Sequence, residues 1–102
     1  MIPTRVKVGR TWYDVKVERM PFGMRGEWRY KDTRRQHTDI RVSLGNDIGG
    51  HYTQDEREET FWHELTHAIL HAIKRNDLND DEEFVTAFSS ELHKAIKSAE
   101  FK

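Results

Sequence analysis

The side-chain pattern changes period once along this chain, at "GNDIGGHY" (residues 45–52), and that change limits the folds open to it. Before the break, apolar residues recur at every second position, the spacing of a strand with one buried face. After it they recur at three and four, the spacing of a helix packed along one stripe. Strands first and helices last predicts an α+β fold, a small, mostly antiparallel sheet of about four strands followed by two helices packed on one face. A chain of 102 residues is enough for one domain over 1–102, with a sheet portion at 1–52 and a helical portion at 53–102.

Residues 5–18, "RVKVGRTWYDVKVE", alternate on both sides of a glycine-containing turn and predict a hairpin with Val6, Val8, Tyr13, Val15 and Val17 on one face. The Pro- and Gly-containing "MPFGMRG" is a loop. "EWRYK" and "TDIRVSL" supply two more strands, the last with Ile40, Val42 and Leu44 in phase. Trp12, Trp28 and Trp62 are assigned to the core. Thr53 followed by Glu56 is a capping box, and Phe61, Leu65, Ala68, Ile69, Ala72 and Ile73 recur at helical spacing until Lys74, Arg75 and Asn76 close the helix. A second helix is expected from Asn79 or Asp80, with Phe84, Val85, Phe88, Leu92, Ala95 and Ile96 as its apolar stripe.

The chain has no cysteine, which rules out disulfides and thiolate metal sites and ties nothing to an oxidising compartment. The opening residues lack an apolar run of signal-peptide length and no window has the length of a membrane span, so the expectation is a cytoplasmic protein with no membrane partner. Charge is uneven: residues 1–44 hold 11 Lys and Arg against 5 Asp and Glu, and residues 45–102 hold 6 against 13. The two halves can attract each other across the domain, or a basic face can meet an acidic partner.

The chemistry is concentrated in "TFWHELTHAILHAI", where His63, Glu64 and His67 form HExxH. Positions i and i+4 of a helix project the same way, so both imidazoles can take two corners of a zinc site. Glu64 stands beside them and can polarise a metal-bound water without being a ligand. His71 continues the face, but its backbone is about 12 Å along the axis from that of His63, too far to share one ion. It is expected at a pocket rim or on the surface. The extended HExxHxxGxxH pattern fails because Leu70 and Ile73 occupy the Gly and His positions.

With cysteine absent, a third ligand should be a carboxylate, and Asp80, Asp81, Glu82 and Glu83 open the second helix. Glu82 lies three residues before Val85 and six before Phe88, on the side predicted to be buried, whereas Glu83 is turned about 100° away. A capping role for Glu82, with Asn79 as N-cap, is the competing assignment.

The small sheet, then "HELTHAILHAI", then a helix opening with "EEFVTAF" resembles the compact zincin-like metallopeptidases of the ImmA/IrrE type, especially the short forms encoded by bacteriophages. The resemblance spans nearly the whole chain, with HExxH its specific part. It implies Zn2+ on His63, His67 and Glu82, and Glu64 as general base. Larger members often carry Glu-x-x-Ala-Asn-x-Phe-Ala in the second helix. Here Glu82 and Phe88 match, while Val85 and Thr86 replace the Ala-Asn pair.

The function expected is zinc-dependent hydrolysis of a peptide bond in a peptide or protein substrate, with Tyr52, His51, His71 or His93 available to assist the oxyanion. An extended substrate is expected to add to the edge of strand "TDIRVSL". Two other functions are open to the sequence. One is a zinc-stapled interaction protein without turnover. The other is nucleic-acid binding by the basic hairpin 25–37, where Arg25, Arg29, Lys31, Arg34 and Arg35 alternate with Trp28 and Tyr30.

Overall fold

The computed structural model describes residues 2–31, 37–46 and 48–101. Four strands, β1 (Arg5–Val8), β2 (Thr11–Glu18), β3 (Gly26–Arg29) and β4 (Asp39–Ser43), precede three helices, α1 (Gln54–Ala72), α2 (Asn76–Asn79) and α3 (Glu82–Ser98). The class is the expected α+β. β1 and β2 form a tight hairpin in which Val8 faces Thr11 across Gly9–Arg10, and Gly9 takes φ +61°, as the first position of such a turn favours.

Spatial order in the sheet is β1-β2-β4-β3. β4 pairs parallel with β2 and antiparallel with β3, so "TDIRVSL" is an interior strand and cannot receive a peptide. That expectation fails because strand order is set by tertiary pairing and leaves no mark on local alternation. Among the described strands, β3 lies at one end of the sheet and meets α1. Ile40 and Val42 are fully buried at the centre, with Val8, Tyr13, Val15, Phe61, Leu65 and Ala68 around them. Asp39, also buried, accepts hydrogen bonds from Arg29 Nε at 2.7 Å and Lys16 Nζ at 3.1 Å. Burial pushes its carboxyl up, but those two cations outweigh burial and hold it below the usual range.

Several apolar assignments move. Val17 is exposed because β1 ends opposite Asp14 and leaves that end of β2 uncovered. Trp12 is half exposed and lies under the Arg5 guanidinium, 4.3 Å from its ring centroid, while Trp28 and Trp62 do pack against the core. In α1, Leu70 is buried while Ile69 and Ile73 are exposed.

The α1 N-terminus has the expected capping box, with Glu56 N–H donating to Thr53 Oγ1 and Thr53 N–H to Glu56 Oε1. Its C-terminus closes in a Schellman arrangement in which Lys74 N–H donates to the His71 carbonyl and Arg75 N–H to the Leu70 carbonyl. Lys74 holds the left-handed position at φ 61°, where glycine is cheaper.

The second long helix starts later than expected. The short α2 intervenes, and Asp81 is the N-cap of α3, its side chain accepting from Phe84 N–H. α3 packs on α1 and α2, and its backbone approaches no strand. The layers are therefore sheet, α1, then α3. The inward face of α3 is Val85, Ser89 and His93; of the expected stripe Val85 is buried and Phe84 and Leu92 are half-buried, while Phe88, Ala95 and Ile96 are exposed. His93 Nε2 and Lys97 Nζ both reach Asp55 in the first turn of α1, so a charged clasp ties the C-terminal end of α3 to the N-terminal end of α1. No helix among the described residues is long and apolar enough to cross a membrane.

Candidate metal centre

His63 and His67 lie on successive turns of α1 with ring centroids 5.0 Å apart, and the start of α3 brings Glu82 to both. His63 Nε2 is 3.2 Å from Glu82 Oε2, and His67 Nε2 is 2.7 Å from Glu82 Oε1. One ligand atom from each of the three residues lies within 4.8 Å of the others. Glu82 reaches this place as the first residue of α3. Its side chain is 66% exposed, so the burial used to choose it from the sequence does not hold, and the helix start is what aims it. Glu83 is exposed and outside the group.

Asn79, expected from the sequence only as a start or N-cap of the second helix, which Asp81 caps instead, ends α2. His67 Nδ1 donates to its Oδ1 at 2.5 Å, which fixes the His67 proton on Nδ1. Neutral His67 then turns a bare Nε2 lone pair toward a carboxylate oxygen at 2.7 Å. Two lone pairs at that distance repel unless a cation lies between them or the ring becomes imidazolium. The set of two imidazoles and one carboxylate, with an amide holding one imidazole from behind, suits a divalent ion of the zinc kind. Trp28 stacks on His67 at 6.2 Å and 11°, closing the ring's other side.

Glu64 is 8% exposed and has no hydrogen-bond partner among the described residues. Burial, then the nearby Glu82 and Glu27 carboxylates, push its carboxyl up to about 8. Burial also pulls the His63 imidazole below its usual range, against the pull of Glu82. A divalent cation at the triad would oppose the cause of the first shift by favouring the Glu64 carboxylate.

Glu64 and His63 line a cleft of about 450 Å³, with Gly26 on the opposite wall and Thr86 and Ser89 contributed by α3. Gly26 permits the close approach of β3 to α1, since a Cβ there would lie 2.5 Å from Thr60 Cγ2. None of the four residues considered for assisting an oxyanion lines this cleft. His51 contacts the Arg19 guanidinium, Tyr52 lies under Arg25, and His93 belongs to the clasp. His71 is half-buried against Trp28 and Tyr30, at 5.3 and 4.5 Å between ring centroids. In the basic run, Arg25 pairs with Glu56 and Arg29 with Asp39, while Arg34 and Arg35 lie outside the described residues.

Comparison of the chain with protein-family models, with curated proteins and with solved structures gives no match.

Proposed function

We propose that this chain is a zinc-dependent peptidase in which His63, His67 and Glu82 hold the ion and Glu64 is the general base. The observation that carries this is the convergence of both imidazoles on one Glu82 carboxylate beside a buried Glu64 that has no hydrogen-bond partner among the described residues and opens on a cleft. Zinc on these ligands would supply positive charge that acidifies a water molecule and polarises a scissile carbonyl.

The protein's own groups do the rest. Asn79 keeps the His67 proton on Nδ1 and so keeps Nε2 available as a ligand. Glu64, returned to its carboxylate by the ion's charge, accepts the proton of the attacking water and delivers it to the leaving amine. β3 is the last strand of the sheet among the described residues and its Gly26 lines the cleft, so an extended peptide adding beside Gly26 would present its backbone to Glu64. The substrate in this proposal is therefore a peptide or an unfolded protein segment. Absence of cysteine agrees with a reducing setting, and we place the activity in the cytoplasm.

Metal analysis and peptide hydrolysis, measured on wild type, Glu64→Gln and Glu82→Gln purified without chelator, test the proposal. Wild type should carry one zinc and cleave. Glu64→Gln should keep zinc with turnover reduced about 10²–10⁴-fold, and Glu82→Gln should lose or weakly hold it. A wild type that contains no metal and takes up none would overturn the assignment. Folding that depends on zinc, with no turnover of any peptide, would make the ion a staple instead.

A further inference from the structure

A second cleft, of about 470 Å³, opens between the β1–β2 turn and the C-terminal end of α1. Arg10 enters it from the turn, Thr11 and Tyr13 from β2, Tyr30 from just after β3, and His71 and Lys74 from the end of α1. No acidic residue among the described ones lines it, although the chain carries 18 Asp and Glu. Arg10 and Lys74 have no ion-pair partner among the described residues, so their charge is uncompensated there.

Tyr13 is the second observation. It is 1% exposed, and its hydroxyl has no hydrogen-bond partner among the described residues. No fully buried side-chain oxygen among those residues lacks a partner, so this hydroxyl is not wholly closed off, and Tyr13 lines the cleft. Burial, then Tyr30, push the phenol up to about 12, and it stays a hydrogen-bond donor at ordinary pH. The last carbonyls of α1 do not oppose an anion strongly, because Ile73, Lys74 and Arg75 N–H groups already bond to those of Ile69, His71 and Leu70. Tyr30 and His71, 4.5 Å apart between centroids and tilted by 50°, form an aromatic wall.

We propose that this cleft binds the phosphate group of a small phosphorylated molecule, with Arg10 and Lys74 supplying charge, the Tyr13 hydroxyl donating, and Tyr30 and His71 packing against the rest of the ligand. The site uses no residue of the metal triad and stands whether or not that triad holds zinc.

The test is an NMR titration of the full chain with inorganic phosphate and with phenyl phosphate, at ionic strength fixed by chloride, followed on amides 9–13 and 71–76. Saturable shifts are expected, with phenyl phosphate binding more tightly than inorganic phosphate. Lys74→Gly removes a charge and relaxes a strained backbone, so its thermal midpoint should equal or exceed that of wild type while phosphate affinity falls about tenfold or more. Arg10→Gln should lose affinity similarly, and Glu82→Gln should keep it. Shifts that follow ionic strength alone, or Lys74→Gly binding phosphate as wild type does, would overturn the proposal. So would benzoate matching phenyl phosphate, or loss of binding in Glu82→Gln, which would move the anion to the metal centre.

Discussion

Glu64 is buried near the charges of Glu82 and Glu27, with no hydrogen bond among the described residues to hold its own charge, and its titration should therefore be visible in the stability of the metal-free protein. Its folded value of about 8 is above the ordinary 4.5, so between those limits the folded chain keeps a proton that the unfolded chain releases. The contribution of Glu64 is complete below about pH 4.5 and is lost as pH rises toward 8. Metal-free Glu64→Gln should thus be more stable than wild type at pH 8, by up to a few kcal/mol at about 1.4 kcal/mol per pKa unit, and similar to it near pH 4.5. Urea midpoints at the two pH values measure this, and an equal difference at both would refute it. Of the residues involved, His63, Glu64 and His67 were legible in the sequence because one helical turn fixes their relation. Glu82 was reached through the elimination of thiolates and an expected burial that the structure does not show, since its side chain is exposed and only the true start of α3 aims it. The role of Asn79 was not legible, since it exists only through a contact across the α1–α2 junction.

At the scale of elements, β3 and α1 meet where Gly26 leaves room. Gly26→Ala puts a methyl 2.5 Å from Thr60 Cγ2, 3.0 Å from the Arg41 carbonyl and 3.1 Å from Glu64 Cγ. Overpacking of this kind costs about 1–3 kcal/mol and should shift Glu64 within the cleft. Adding Thr60→Ser removes the nearest atom, so the double variant should recover part of the lost stability in chemical unfolding. A loss unchanged by Thr60→Ser would show that the methyl meets backbone rather than the threonine. The elements themselves were legible through period, caps and turns. Their neighbours were not. β4 became the middle of the sheet by a parallel pairing with β2 that alternation cannot encode. Half of the α3 stripe, Phe88, Ala95 and Ile96, is exposed because among the described elements the α3 backbone meets only α1 and α2, and Ser89 and His93 share the buried side with Val85.

Across the whole molecule, α1 is the shared layer, with the sheet on one side and α3 on the other. α3 is fastened at two places, by the clasp of His93 and Lys97 on Asp55 and by Glu82 against the two histidines. The clasp lies near the outside and belongs to the protein alone, whereas the other fastening depends on what occupies the triad. With zinc in excess of its dissociation constant by about 1,000-fold, the folded state gains about 4 kcal/mol. Amide exchange compared with and without zinc should show that gain first in residues 82–86 and least in residues 93–97. Uniform protection along α3 would contradict this. Since the α3 backbone approaches no described strand, its departure would leave the sheet and α1 in contact. The chelated protein should then melt in two stages, the outer helix peeling from its Glu82 end before the remainder unfolds, and a protease able to cut after Asn79 would make the separation of Glu82 from His63 and His67 irreversible.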